Sequence, residues 1–207
     1  MYPLLKNFSS LYKSSSIFLG KKLYSSLPEY SIRPLKIVEF KELLKNWAVR
    51  EGWNPGLHEY LPFYMASLNG HKGLFLDDKL IASISAVRYS KDFAFLGLYI
   101  VDPNYRAQGI GQILATSALR ELTDCSLMGI NAVQNQVENY QKKYGFAPSH
   151  TNSRFSGYFR LKQDNFVSKT EIKIIGKDKL NINQLIEYDA SIFSAPREAF
   201  LRKWIEM

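Results

Sequence analysis

Apolar and polar positions alternate through Tyr30 to Pro34 and then recur every three to four residues in "EFKELLKNWAVREG". The chain therefore predicts a strand over Tyr30–Pro34 and a helix from about Lys36 to Arg50. The breaker Asn54-Pro55-Gly56 predicts a loop before a short second helix. "KGLFLDDKLIASISAVRYSKDFAFLGLYIV" reads as three successive strands, turning at Asp77-Asp78 and at Ser90-Lys91-Asp92. Ile110, Leu114, Ala118 and Leu122, spaced four apart with Ile113 and Leu119 beside them, predict a helix laid on a sheet. "CSLMGINAV" predicts a further strand, "NQVENYQKKYG" a helix closed by Gly145, and "RFSGYFRLKQ" a last strand. The order β-α-α-β-β-β-α-β-α-β is mixed α/β. A helix crossing between adjacent strands implies one parallel pair in a largely antiparallel sheet.

Composition narrows the picture in a few places. The 207 residues fit one ordinary domain with a remainder. The single Cys125 leaves no internal disulfide, and His58, His71 and His150 are too far apart for a local metal motif, so no metal is expected. The longest apolar run, Phe93 to Val101, is about half of what a membrane-spanning helix needs, so no membrane partner is expected. Net charge is +8, which could suit nucleic acid or an anionic cofactor. Residues 1–28, however, carry four lysines and no acid. The excess over the rest of the chain is mild, and no nucleic-acid partner is inferred. The same segment, rich in serine with scattered Leu, Phe and Tyr and a Lys22-Leu23-Tyr24-Ser25 pattern, has the composition of a mitochondrial transit peptide or of a disordered leader. A mitochondrial matrix location follows from the first alternative and a cytoplasmic one from the second.

The chemistry is concentrated in "RAQGIG", Arg106 to Gly111, where a strand gives way to a helix. Unpaired N–H groups and the helix dipole make such a junction an anion cradle, and glycine lets the backbone approach a phosphate closely. A P-loop would need Lys-Ser/Thr after its last glycine, and a dinucleotide fingerprint would need Gly at position 114. Gln112-Ile113 and Leu114 exclude both. What remains, Arg106-x-x-Gly109-x-Gly111 after a strand ending "LYIV" and before a helix ending "YGF", resembles the pyrophosphate loop of the GNAT acyltransferases over roughly residues 30–162. The alternative reading of both glycines is a tight strand-to-helix packing turn.

That resemblance implies a GNAT fold, a twisted and mostly antiparallel sheet with flanking helices and a parallel strand pair splayed at the cofactor. It implies acetyl-CoA as acyl donor and a primary amine, on a small molecule or a protein, as acceptor. The backbone of Tyr99, Ile100 and Val101 would pair with the pantetheine arm and hold the thioester carbonyl, and the N–H groups of Arg106, Ala107, Gln108, Gly109, Ile110 and Gly111 would cradle the diphosphate. "EGWNPG" resembles a branch of the family in which this motif follows the first helix, which makes Trp53 and Asn54 candidates for the acceptor site. An amine must lose a proton and the leaving thiolate must gain one. Tyr140 in "NYQKKYGF" is the candidate acid, although the family position falls on Gln141, and Glu51 or His58 is the candidate base. The domain reading is a leader over 1–28 and an acyltransferase domain over 29–165. Residues 166–207 are either the start of a second GNAT-like domain or a tail packing Phe193, Phe200, Leu201 and Trp204 onto the first.

Overall fold

The computed structural model describes residues 2–7 in backbone only, together with 30–158, 173–193 and 195–207. The strands are β1 (Tyr2–Asn7), β2 (Tyr30–Pro34), β3 (His71–Leu76), β4 (Lys79–Arg88), β5 (Phe93–Val101), β6 (Leu127–Ala132) and β7 (Ala147–Pro148). The helices are α1 (Ile37–Glu42), α2 (Tyr60–Ala66), α3 (Ile110–Arg120), α4 (Val137–Tyr144), α5 (Ile182–Phe193) and α6 (Glu198–Glu206). The sheet order is β2-β3-β4-β5-β6-β1-β7. Every pairing is antiparallel except β5 with β6, the parallel pair expected from the crossover through α3.

Strand β4, interior to the sheet, is buried along most of its length because both faces are covered. Neighbouring positions point to opposite sides. Leu74 joins the cluster that contains Leu114, Ala118 and Leu122 of the α3 region, whereas Phe75 joins Phe40, Leu43 and Leu44 under the first helix. Asp77 and Asp78 both take positive φ, 48° and 61°, as a two-residue hairpin turn that follows strand twist requires.

Three expectations are corrected. The first helix is α-helical only to Glu42 and then widens into a π-helical stretch, Leu43–Ala48, that buries Leu43, Leu44 and Ala48. Periodicity near 3.6 does not distinguish this wider turn. In "RFSGYFRLKQ", Arg154–Tyr158 form no strand and the rest lies outside the described residues; β6 is instead flanked by β1, from within the segment read as a leader. Lys22–Ser25 lie outside the described residues. The tail from "KTEIKIIG" onward reads as strand, helix, loop, helix; residues 173–175 form no strand, and the residues before them lie outside the described residues.

The tail meets the sheet through aromatic rings. Phe200 lies 5.1 Å from Phe63 of α2, and Phe193 lies 5.0 Å from Tyr89 and 5.8 Å from Phe93. Arg197 donates two 2.8 Å hydrogen bonds to Asp189 and stacks over Phe193, which fixes the α5–α6 corner. Leu201 is buried, whereas Trp204 stacks on Phe200 and stays partly exposed.

His71 ties three elements together. Its Nε2–H donates to the Phe63 carbonyl, so in the neutral ring Nδ1 accepts from the Ser85 hydroxyl, each at 2.8 Å. Burial pushes its pKa down from 6.5 to about 4, partly opposed by the Phe63 carbonyl. Between those values the unfolded chain holds a proton that the folded chain does not, so acid favours unfolding. Stability is expected to fall as pH drops from about 6.5 toward 4, by up to about 1.4 kcal/mol per unit. Denaturant titrations across that window check it: His71→Gln should lack this share of the slope, and an unchanged slope in the variant would contradict it.

Candidate active site

β5 and β6 run parallel from Phe93 opposite Leu127 to Leu96 opposite Ile130 and are unpaired beyond that point. A cleft of about 830 Å³ opens there, with Gly97–Val101 on one wall and Ile130, Asn131 and Val133 on the other. Its floor is the turn into α3, and its far side is α4 with Tyr140 and Tyr144.

The turn is built from the sequence outward. Asp102 accepts from the Asn104 N–H at 3.0 Å and starts a short 3-10 turn, Pro103–Tyr105. Ala107 and Gly109 then take left-handed φ values of 61° and 80°. Alternating left-handed and right-handed residues turn successive N–H groups inward, a concavity that suits an anion. α3 begins at Gly109 with no side chain capping it. Its first N–H groups therefore lack partners within the helix and open on the cleft with the positive end of the dipole. A Cβ on Gly109 would meet open space, so there only the backbone conformation calls for glycine. At Gly111 a Cβ would stand 2.8 Å from the Tyr99 hydroxyl and 3.1 Å from Val101 Cγ2, so that glycine also lets α3 close on β5. The packing-turn reading of the glycine pair thus applies at Gly111, while Gly109 is set by backbone conformation alone.

"EGW" is a helix stop that delivers chemistry. The Trp53 N–H reaches the Ala48 carbonyl and the Gly52 N–H the Val49 carbonyl, each at 2.9 Å, with Gly52 at φ 75°. This is a glycine-terminated Schellman end. It sets Glu51 and Trp53 at the rim of the cleft, where Glu51 pairs with the Arg106 guanidinium. Arg106 also donates from Nε to the Val101 carbonyl at 2.9 Å. The loop after the first helix and the cradle are thereby joined.

Tyr140 is buried beside Tyr99, Tyr144 and Phe146, with ring centroids 6.3–6.4 Å away. Burial first, and then the neighbouring Tyr144, push its pKa up to about 12, so its hydroxyl keeps its proton at neutral pH. Burial likewise raises Tyr99, and the neighbouring Tyr144 adds to that rise. Burial raises Tyr144 as well, and the neighbouring Tyr99 partly offsets that rise.

Of the residues singled out from sequence, Tyr99, Ile100, Val101, Arg106, Ala107, Gly109, Ile110 and Gly111 line the cleft, as do Tyr140, Glu51 and Trp53. Three do not. Gln108 turns back to donate to the Asn104 carbonyl at 3.1 Å. Asn54 and His58 are exposed and off the lining, because the chain leaves the rim after Trp53. Sequence reasoning missed the polar wall of Gln134, Asn135, Gln136, Asn139 and Lys143. The run "NAVQNQVEN" between strand and helix was its only signal. Among the described residues no group of His, Cys, Asp and Glu could hold a metal ion, and no helix is long and apolar enough to cross a membrane.

Comparison with known proteins agrees with this geometry. The profile of the acetyltransferase (GNAT) family matches residues 37–146. A holothin acyltransferase of Pseudoalteromonas sp. (strain SANK 73390) is 30% identical over 183 residues, covering 88% of this chain and 60% of the relative. An uncharacterized protein of Caenorhabditis elegans is 24% identical over 127 residues, covering 58% of this chain and 39% of that protein. The chain thus spans less than two thirds of the length of either curated relative. Among solved structures, a candidate acetyltransferase from Pyrococcus horikoshii superposes with a TM-score of 0.62 at 16% identity, over 88% of this chain and 64% of that one. Ard1 from Thermoplasma volcanium superposes with a TM-score of 0.51 at 17% identity, over 58% of this chain and 84% of that one. At those identities the two structures speak for the fold alone.

Proposed function

This chain belongs to the acetyltransferase (GNAT) family, and on that premise we propose that it passes an acetyl group from acetyl-CoA directly to a primary amine. One observation carries the reading: an uncapped helix start, with left-handed Ala107 and Gly109 ahead of it, faces a cleft between strands that have stopped pairing. The chemistry fits coenzyme A. The N–H groups at the start of α3 offer a diphosphate several donors, and the unpaired edge of Tyr99–Val101 offers the amide-bearing arm a strand to pair with.

When bound, the thioester supplies an activated acyl group and a thiolate leaving group. The remaining work falls to the chain. Tyr140, protonated at neutral pH, donates to the departing sulfur. Trp53 gives the acceptor a flat apolar wall, and Glu51 sits beside it as proton acceptor once its pairing with Arg106 loosens. An anion bound at the cradle draws Arg106 toward itself, so donor binding favours that release. The holothin acyltransferase supports a small-molecule acceptor, and the open rim also admits an amine on a larger molecule.

The test is thiol release from acetyl-CoA by the full chain, followed with a thiol reagent against polyamines, aromatic amines, amino acids and lysine peptides. Release that requires an added amine is expected. Acetyl-CoA that binds but releases thiol with none of them would favour an acyl-CoA-binding module without turnover.

A further inference from the structure

β4 and β5 lose register at one place. Ser83 faces Ile100 and Ser85 faces Gly97, so β5 runs three residues while β4 runs two, and Leu98 and Tyr99 share the position opposite Ile84. This is a bulge of one extra residue. It falls where β5 stops pairing with β6 and the cleft opens. Leu98 there takes φ 46°, a left-handed conformation that a bulky L residue avoids. Such a conformation persists only where its surroundings over-determine it. The neighbour that does so is Ser83, wholly buried, whose hydroxyl donates to the Leu98 carbonyl at 2.8 Å.

We propose that Ser83 is a positioning residue for acyl transfer: the family resemblance already sets the Tyr99–Val101 backbone on the thioester carbonyl, and Ser83, by latching the Leu98–Tyr99 peptide, is what keeps the Tyr99 N–H turned into the cleft for that contact. The peptide group is planar and trans, so its N–H points opposite to its C=O. The Leu98 C=O is turned to Ser83 on β4, and the Tyr99 N–H is therefore turned away from β4, the side on which the cleft lies. A donor fixed in advance where negative charge develops accelerates the reaction, and a peptide free to rotate does not. Water cannot replace the hydroxyl, because Ser83 has no exposed surface. Ser83 lies outside every motif and does not line the cleft itself, so it acts only through the peptide it holds.

The inference rests on the acyl-thioester reading of the cleft, and the experiment separates the two. The 207-residue chain and its Ser83→Ala and Ser83→Thr variants are each titrated calorimetrically with carbonyl-13C acetyl-CoA, and the carbonyl stretch of the bound thioester is recorded by isotope-edited infrared difference. In the wild type the stretch should lie below that of the free thioester in buffer. Ser83→Ala should return it toward the free value while the dissociation constant stays within about threefold. Ser83→Thr, which keeps the hydroxyl, should retain the shift. A wild-type stretch in Ser83→Ala overturns the proposal, as does loss of affinity in step with loss of the shift in both variants, which marks a structural role only. Failure of the wild type to bind acetyl-CoA overturns the acyl-CoA reading as well, and calorimetry alone reports it.

Discussion

Exchanging Gly111 for Asp is expected to weaken acetyl-CoA binding by at least about 100-fold. Two effects add. A Cβ at this position would stand 2.8 Å from the Tyr99 hydroxyl and 3.1 Å from Val101 Cγ2, both on the wall that receives the donor. Tyr99 is hemmed in by Tyr140 and Tyr144 and cannot swing clear without moving β5 or α4. The carboxylate then meets the diphosphate: two like charges roughly 5 Å apart at an effective dielectric constant of about 20 repel by about 3 kcal/mol, which is on the order of 100-fold in affinity. Gly111→Ala isolates the first effect and should weaken binding by much less. Calorimetry on the two variants decides. If Ala is as harmful as Asp, the glycine serves packing alone. If neither changes the affinity, the cradle lies elsewhere.

Replacing Tyr140 by Phe is expected to lower kcat by about 100-fold and to leave acetyl-CoA affinity unchanged. The hydroxyl makes no hydrogen bond to a described residue, and no buried side-chain polar atom among the described residues is unsatisfied, so the oxygen reaches the cleft. Burial holds its pKa near 12 rather than 10, so any alkaline loss of activity due to its ionisation is displaced upward by about as much. Tyr144→Phe should cost less, within about tenfold, because Tyr144 is less buried than Tyr140 and sits at the end of α4. Steady-state kinetics against pH with an acceptor found in the amine screen distinguishes the two. A larger loss in Tyr144→Phe would transfer the acid role to it.

Those two side chains also show where sequence reading ran out. The spacing "YQKKYG" puts both tyrosines on one side of α4, and what tells them apart is burial, Tyr140 being buried and Tyr144 only partly so, which depends on packing against Tyr99 of a distant strand. The order of elements from β2 to α4 was legible, because the apolar runs of β3–β5 and the four-residue spacing in α3 report burial directly. The cradle was legible too, since a left-handed Gly109 and a closely approached Gly111 leave glycines at fixed positions. The π-helical turn at Leu43–Ala48 was not, for its apolar positions also satisfy an ordinary helix. Glu51 was visible as a carboxylate next to a helix stop, but its pairing with Arg106 joins two loops whose proximity no local pattern encodes. The Leu98 bulge leaves no mark of its own either: "FAFLGLYIV" reads as one unbroken strand, and the register slip belongs to its pairing with β4. Asn54 and His58 were drawn in by a motif whose last useful residue for the cleft is Trp53.

The most direct measurement is a calorimetric titration of acetyl-CoA into the full chain, with coenzyme A and ATP run alongside. Micromolar binding of acetyl-CoA and coenzyme A without binding of ATP is expected, because the proposed function needs both the uncapped start of α3 for the diphosphate and the unpaired edge of β5 for the pantetheine arm, which ATP lacks. Binding of ATP as tight as that of acetyl-CoA, or no binding of either, would contradict the assignment of the cleft to an acyl-CoA donor.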